Sequence, residues 1–213
     1  MSLQIDRREI YRYMGASGEP DGALKALAEE ALAQVMAAAV PRQVSRRVSL
    51  SLETGGSVRL GQLETASKSL YRHLEGCTEA FLFAATLGTG VDLLLRRSTL
   101  SGMGRTVAIQ AAAAAVIEAF CDECEKGLAA AAEGLYLVPR FSPGYGDLPL
   151  SFQKPLLSFL ESDRRIGLSV TASLMMVPSK SVSAVIGLTP DKGRCGVHKC
   201  AACGKRGCPF RRA

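Results

Sequence analysis

VSRRVSLSLETGGSVRL, residues 44–60, is the stretch that first indicates the fold class. Apolar and polar residues alternate strictly over residues 48–52, which is typical of a half-buried β-strand. Gly55 and Gly56 then supply a tight turn before the run at residues 57–60. A strand, a glycine turn and a second apolar run together predict a β-hairpin.

Helical patterns surround this hairpin. Asp6, with Glu9 three residues later, gives a capping-box pattern for a short helix that ends at Tyr13. Asp21 opens a second helical stretch, and Pro41 stops it. The remaining sequence predicts a set of helices at residues 22–40, 63–74, 91–100, 105–132 and 156–161.

Further strand-like runs complete the secondary structure. Residues 80–86 and 135–141 have the apolar character of strands. Residues 167–177 and 181–188 flank residues 178–180 and predict a second hairpin. Strands mixed with helices in this way predict an α+β fold, with a mostly antiparallel sheet flanked by helices.

The composition excludes two classes of protein. Of the 213 residues, 47% are hydrophobic and 22% are charged, which excludes a disordered chain because so much apolar surface can form a core. The most apolar windows, residues 81–87 and 107–117, are shorter than the roughly 18 residues that a bilayer span needs. The N-terminus lacks the apolar segment of a secretory signal. We therefore expect a cytoplasmic protein with no membrane partner.

The net charge of +6 comes from the C-terminus. Residues 191–213 contain seven Lys or Arg residues and one Asp, whereas residues 1–190 contain equal numbers of cations and anions. Because a neutral body creates no general field for a polyanion, nucleic acid is not an expected partner of the body. We divide the chain accordingly into a domain of residues 1–190 and a basic tail of residues 191–213.

Four of the seven cysteines lie in this tail, at Cys195, Cys200, Cys203 and Cys208. An odd number of cysteines in a chain without an export signal argues against a disulfide framework. Thiolates spaced C-x4-C-x2-C-x4-C suit zinc or an iron–sulfur cluster. The alternative is a flexible, reduced, basic tail.

Residues 140–147, RFSPGYGD, form the most informative loop before the tail. Arg140 can clamp a carboxylate through two parallel hydrogen bonds. The glycines let a ligand approach the backbone, and Tyr145 offers a flat face. The alternative is an ordinary structured loop in which the arginine caps a helix and the tyrosine packs on the core.

Three segments, in order, resemble one protein family. Residues 140–149, RFSPGYGDLP, and Lys154 resemble the Arg-x-Ala-Pro-Gly-Tyr-Pro-x-x-Pro…Lys pattern of the activation domain of cobalamin-dependent methionine synthase. Residues 118–120, EAF, are similar to a Glu-Ala-Phe of that domain on a long helix. Residues 171–183, TASLMMVPSKSVS, resemble its Thr-Glu-Ser-x-x-Met-x-Pro-x-x-Ser-Val-Ser. Together the segments cover roughly residues 110–188.

The resemblance implies a ligand and a role for this chain. The family's domain binds S-adenosylmethionine and presents its methyl group to the corrinoid while inactive Co(II) is being reduced. By resemblance, Arg140 grips the methionyl carboxylate and Tyr145 packs beside the adenine. The backbone at Ser142 and Gly144 lines the ligand in the same way. Glu118 accepts hydrogen bonds from amino or hydroxyl groups of the ligand, and the alternative for it is a solvated or helix-paired carboxylate.

The chain departs from the family pattern at several positions. Ser142 stands where the family has alanine and Gly146 where it has proline, and we expect both changes to be mild. Residues 150–153, LSFQ, replace the family's Asp-His-Thr-Glu. A Tyr-Tyr pair that follows the Ser-Val-Ser strand in the family has no counterpart near residues 189–194.

The resemblance also implies partners. We recognise no methyltransferase or corrinoid-binding module in the sequence, so the expected partner is a separate methionine synthase or related corrinoid protein that carries the cobalamin. Flavodoxin or ferredoxin is the expected electron donor, and the chain is then an accessory subunit of a methyltransferase. The alternative function is a non-enzymatic module that binds a partner or nucleic acid through a metal-binding tail.

Overall fold

The computed structural model describes residues 3–16, 18–100 and 102–194. The tail cysteines Cys195, Cys200, Cys203 and Cys208 lie outside the described residues. The metal site predicted for them, and the division of the chain at residue 190, therefore stay predictions.

The described residues contain helices and strands in a mixed order. The helices are α1 (Arg7–Tyr13), α2 (Gly22–Ala38), α3 (Lys68–Leu74), α4 (Thr89–Ser98), α5 (Met103–Ala130), α6 (Gln153–Phe159) and α7 (Ser162–Ile166). The strands are β1 (Arg42–Glu53), β2 (Ser57–Leu60), β3 (Leu63–Ala66), β4 (Glu79–Thr86), β5 (Tyr136–Leu137), β6 (Ser169–Val170), β7 (Met176–Val177) and β8 (Ser181–Thr189).

Six of the strands form one sheet, in the order β3-β2-β1-β4-β8-β5. β1 pairs with β2, β2 with β3, and β5 with β8, all antiparallel. β4 also runs antiparallel to β8, because Thr78 N donates to Leu188 O at 2.9 Å at one end while Leu87 N donates to Lys180 O at 2.9 Å at the other. The predicted α+β class with a mostly antiparallel sheet is confirmed.

The N-terminal helices begin at the predicted caps. Asp6 Oδ1 accepts a hydrogen bond from Arg8 N at 2.9 Å, and Asp21 Oδ1 accepts one from Leu24 N at 2.7 Å. Both bonds satisfy a backbone donor that the first turn of a helix leaves unpaired. The Glu9 carboxylate forms an ion pair with Arg12 one turn further along α1.

The helix predicted at residues 63–74 is wrong in its first half. Leu60 and Leu63 pair directly, so Gly61 and Gln62 form a hairpin turn and β3 extends the sheet. The helix begins only after Ser67, whose hydroxyl accepts a hydrogen bond from Leu70 N at 3.0 Å. The serine cap therefore ends the extended backbone and starts α3.

The second predicted hairpin is also wrong. Residues 167–177 fold back on themselves, since β6 and β7 pair as a separate two-stranded sheet. The turn between them is closed by Thr171, whose N donates to Met175 O at 2.9 Å and whose hydroxyl accepts from Met175 N at 3.1 Å. β8 instead lies between β4 and β5 in the main sheet.

The described residues divide into two compact units. The first unit comprises described residues in the ranges 3–43, 85–124 and 163–182, and the second comprises the ranges 44–84, 125–162 and 183–194. Fully buried apolar side chains of the first unit include Ile10, Val35, Val91 and Val116. Those of the second unit include Val58, Leu60, Leu70 and Phe83. Each unit thus has its own set of buried side chains.

α5 is the longest helix of the described residues, with 28 residues. Ala111, Ala112, Ala113 and Ala115 of its alanine block are buried. Among the residues that the structure describes, neither α5 nor any other helix is long and apolar enough to cross a membrane.

Candidate ligand-binding site

A cleft of about 250 Å³ opens in the first unit. One wall is a face of α5, and the other walls come from the end of α1 and from the start of β8 with the residues before it. The lining side chains are Tyr13, Ala114, Ile117, Glu118, Ser179, Lys180, Ser181 and Val182. A second hollow of about 250 Å³, which shares Tyr13, Ala114 and Lys180, extends along α5 to Thr106.

Glu118 is the predicted ligand residue that the structure places in this cleft. It lies on α5 one helical turn beyond Ala114, so both residues face the same side of the helix. Ala114 lines the cleft with a small side chain. The half-buried Glu118 lines it with a negatively charged carboxylate. The contact of Glu118 with amino or hydroxyl groups of a ligand stays a prediction.

Lys180 lines the same cleft and is not a predicted site residue. Its backbone is fixed on both sides, because Lys180 O accepts from Leu87 N at 2.9 Å and Asp92 accepts from Ser179 N at 3.0 and 3.1 Å. The Ser179 hydroxyl donates to the same carboxylate at 2.6 Å. These hydrogen bonds fix the backbone from which the Lys180 side chain extends.

The Lys180 ammonium is half-buried and weakly bonded within the protein. Its Nζ lies 3.5 Å from Gln110 O, the limit of a hydrogen bond, and the described residues offer it no second acceptor. Burial lowers the pKa of Lys180 below its ordinary value, and the carboxylate of Asp92 offsets part of that shift.

Tyr13, at the end of α1, is a second cleft residue that sequence reasoning missed. The guanidinium carbon of Arg12 lies 4.5 Å from the centroid of the Tyr13 ring. A cation over the face of an aromatic ring is a stabilising arrangement. It helps to hold the ring that closes this side of the cleft.

The other four predicted site residues lie in one loop of the second unit, at residues 140–149. Arg140, at the start of this loop, forms an ion pair with Glu125 of α5. Its Nη1 lies 2.6 Å from Glu125 Oε1, and the side chains of Arg140 and Glu125 are only 15% and 26% exposed. The guanidinium thus already has a carboxylate partner in the protein.

The loop closes on itself through backbone hydrogen bonds. Gly144 N donates to Leu148 O at 2.9 Å, and Tyr145 N donates to Ser142 O at 3.1 Å. The Tyr145 side chain is 51% exposed, and its ring meets the Phe141 ring edge-on with centroids 6.1 Å apart. Tyr145 is therefore half exposed rather than packed in the core, and its contact with an adenine stays a prediction.

Asp147 fastens the loop to the start of α3. Its carboxylate accepts hydrogen bonds from Ser67 Oγ at 2.5 Å, Lys68 N at 2.9 Å and Ser69 N at 2.9 Å. The bond from the Ser67 hydroxyl, followed by that from Ser69 N, holds the pKa of Asp147 well below its ordinary value, because both favour the ionised carboxylate. Sequence reasoning missed this anchor, which joins residues 80 positions apart.

Residues 105–202 match the sequence profile of the vitamin B12 dependent methionine synthase activation domain. This range contains Glu118, the loop at residues 140–149 and the segment at residues 171–183. The predicted resemblance to this activation domain is confirmed.

The fold agrees with that of a solved activation-domain relative. The chain has a TM-score of 0.67 and 18% sequence identity to a crystal structure of the MetH reactivation domain bound to AdoHcy. The match covers 88% of this chain and 74% of that chain. No curated protein sequence matches the chain. The predicted activation-domain-like fold is therefore confirmed. At 18% sequence identity, this structural match supports the fold only.

The change from the activation-domain proline to Gly146 is not mild, contrary to our expectation. Gly146 has a φ of +56°, whereas the ring of proline fixes φ near −65°. A Cβ atom at Gly146 would also lie 2.5 Å from Ser69 Oγ. The loop of this chain thus needs glycine where the activation-domain pattern has proline.

Metal binding has no support within the described part of the chain. Over residues 3–16, 18–100 and 102–194, no group of three or more His, Cys, Asp or Glu side chains could hold a metal ion. Cys121 is buried and Cys77 and Cys124 are half-buried.

Proposed function

We propose that this chain binds S-adenosylmethionine and supports the reductive methylation of the corrinoid of a separate cobalamin-dependent methionine synthase. The observation that carries the proposal is the activation-domain match over residues 105–202, which contains all five predicted ligand residues. The solved relative with the same fold is bound to AdoHcy, the demethylated form of the proposed ligand.

The proposed ligand residues supply binding and orientation. When bound, S-adenosylmethionine supplies a methyl group on a sulfonium, and the protein's task is to hold that donor in one position. The Glu118 carboxylate accepts hydrogen bonds from amino or hydroxyl groups in the cleft of the first unit. It also adds a negative charge that favours a cationic ligand.

The loop of the second unit supplies the other proposed contacts. The exposed Tyr145 can stack on an adenine. The backbone at Ser142 and the exposed Gly144 is proposed to line the ligand. Arg140 already donates a hydrogen bond to Glu125. A ligand carboxylate at Arg140 must either replace Glu125 or share the guanidinium with it.

The partners follow from the family. The proposed partner is a corrinoid protein that carries the cobalamin and acts in trans, with flavodoxin or ferredoxin as the electron donor. The Cys-rich tail is proposed as a zinc or iron–sulfur site that serves this complex.

Calorimetric titration of the full chain with S-adenosylhomocysteine tests the proposal. We expect wild-type protein to bind, and Glu118→Gln and Arg140→Ala to bind more weakly. Glu123→Gln on α5, and Arg47→Ala, whose arginine is ion-paired with Glu79 and Glu133, are matched controls that should bind like wild type. Wild-type protein that gives no binding heat, with or without a corrinoid protein present, contradicts the proposal.

A further inference from the structure

The start of the loop at residues 140–149 is held by α3. His73, in the last turn of this helix, has its Nε2 atom 2.8 Å from Pro139 O. Because a carbonyl oxygen only accepts hydrogen bonds, Nε2 carries the proton and donates it. The His73 ring also lies against the Phe141 ring, with centroids 5.0 Å apart. Both chain neighbours of Arg140 are therefore in contact with one histidine.

Strand β8 fixes the same point of the chain. Phe141 N donates to Val185 O at 2.9 Å, and Val185 N donates to Phe141 O at 2.9 Å. The Phe141 ring then meets the Tyr145 ring edge-on, with centroids 6.1 Å apart. Since aromatic pairs favour this arrangement, the position of Phe141 influences that of Tyr145.

The end of the loop is held by the first turn of the same helix. Asp147 lies two residues after Tyr145, and its carboxylate accepts hydrogen bonds from Ser67 Oγ at 2.5 Å and from Lys68 N and Ser69 N at 2.9 Å. The two backbone N–H groups belong to the set that the first turn of a helix leaves unpaired. Three donors on one carboxylate therefore fix the chain close to Tyr145.

The activation-domain pattern restricts this part of the loop in another way. It has proline where Gly146 stands and a variable residue where Asp147 stands. Proline restricts its own backbone, whereas glycine is the most permissive residue. In this chain the hydrogen bonds of Asp147 restrict the backbone next to the glycine instead. α3 lies outside residues 105–202, so the restraint comes from a helix that the activation-domain match does not include.

We propose that His73 and Asp147 are positioning residues, which hold the loop so that Arg140 and Tyr145 are already placed for S-adenosylmethionine. We call their contacts the α3 anchor. The inference rests on the proposed function and adds two residues that touch no ligand in it. A loop that is ordered before binding loses less conformational entropy when the ligand binds, so the α3 anchor raises the affinity.

Calorimetric titration of the full chain with S-adenosylhomocysteine, well below the melting temperature, tests the α3 anchor at both ends. Asp147→Asn keeps the shape of the side chain but removes its charge and one of its two acceptor oxygens. His73→Phe keeps an aromatic ring beside Phe141 but removes the donor to Pro139 O. We expect each variant to bind about 5-fold or more weakly than wild type, the equivalent of one hydrogen bond.

Two further variants separate positioning from stability. His73→Gln keeps an N–H donor about as far along the side chain as Nε2, so it should bind within about twofold of wild type. Val44→Ala shortens a buried side chain of β1 in the same unit. It should lower the melting temperature because it leaves a cavity, but its affinity should also stay within about twofold of wild type.

Hydrogen exchange of the loop amides tests the α3 anchor without a ligand. Gly144 N donates to Leu148 O, and Leu148 N donates to Tyr145 O. Asp147→Asn should speed the exchange of these two amides about 5-fold or more, because the loop opens locally more often. Val44→Ala should leave them within about twofold, since its effect is on global unfolding.

Three results would overturn the inference while the proposed function stands. The first is wild-type affinity in Asp147→Asn or in His73→Phe. The second is a loss of affinity in Val44→Ala equal to theirs, which would mean that affinity follows overall stability. The third is unchanged exchange of the loop amides in Asp147→Asn. If wild-type protein gives no binding heat, with or without a corrinoid protein present, the proposed function fails and the inference fails with it.

Discussion

Replacing Gly146 with alanine should destabilise the protein for two separable reasons. The residue has a φ of +56°, in the left-handed region that favours glycine. The added methyl group would lie 2.5 Å from Ser69 Oγ and 2.6 Å from Ser69 Cβ, well inside van der Waals contact. Ser69 cannot move away freely, since its backbone N donates to Asp147.

The size of the effect follows from these two terms. A left-handed conformation costs a residue with a Cβ atom roughly 1–2 kcal/mol. Forcing an extra methyl group into an occupied space typically costs about 1–3 kcal/mol more. The sum is about 2–5 kcal/mol. A chain of this length loses roughly 2–4 °C of melting temperature per kcal/mol, so Gly146→Ala should melt about 4–20 °C below wild type.

Thermal unfolding followed by circular dichroism measures the loss, and Gly167→Ala is the matched control. Gly167 has a φ of +70°, but a Cβ atom there would meet nothing within 4 Å. Its variant should therefore lose only the conformational term, roughly 1–2 kcal/mol. Ser69→Gly, combined with Gly146→Ala, should recover about 1 kcal/mol or more relative to additive losses.

Two results would refute this reasoning. Equal melting temperatures of Gly146→Ala and Gly167→Ala would mean that the contact with Ser69 has no energetic effect. Strict additivity of Gly146→Ala and Ser69→Gly would mean that the two residues do not interact. Gly146→Pro, which restores the activation-domain residue, should be less stable than Gly146→Ala because proline cannot adopt this φ.

Three other predictions concern the loop and the tail. Asp147 has a lowered pKa in the folded protein, so the stability that it contributes is present above its ordinary value of about 3.8 and is lost as the pH falls below it. The melting-temperature difference between wild type and Asp147→Asn should therefore shrink from pH 6 to pH 3, and a constant difference would contradict the prediction. Glu125→Gln removes the charge that Arg140 pairs with, so it should lower the free energy of unfolding by about 1–3 kcal/mol. The same variant should raise the affinity for S-adenosylhomocysteine, because Arg140 no longer shares its guanidinium with the Glu125 carboxylate; an unchanged affinity would contradict a contact between Arg140 and the ligand's carboxylate. Changing all four tail cysteines to serine should abolish binding of zinc or iron without changing the affinity for S-adenosylhomocysteine. Metal analysis of anaerobically purified full-length protein measures the first effect. Wild-type protein that contains no metal would contradict the predicted tail site.

Local signals were enough to predict much of the secondary structure. The alternation at residues 48–52 and the two glycines after it predicted the β1–β2 hairpin, because these features act within a few residues. Asp6 and Asp21 predicted two helix starts for the same reason. Residues 63–66 were misassigned because their extended form depends on pairing with β2, a tertiary interaction that overrides local propensity.

The site was predictable only in part. Motif matching found Glu118 and the 140–145 loop, since these residues stand in recognisable strings. Lys180 stands at a variable position of its motif, so nothing in the string marks it. Its place in the cleft depends on Asp92, far away in the sequence, which holds the preceding residue. Asp147 was missed for the same reason, because its partners at residues 67–69 are close only after folding.

The exposed ring of Tyr145 has a practical consequence for spectroscopy. The chain contains five tyrosines and no tryptophan, so its intrinsic ultraviolet emission is that of tyrosine alone. A nucleobase that stacks on the outward face of Tyr145 would quench a measurable share of this emission. Ligand binding at the loop could then be followed by tyrosine fluorescence, without a label. Tyr145→Leu should abolish the ligand-induced quenching, while the emission of the other four tyrosines remains as an internal reference.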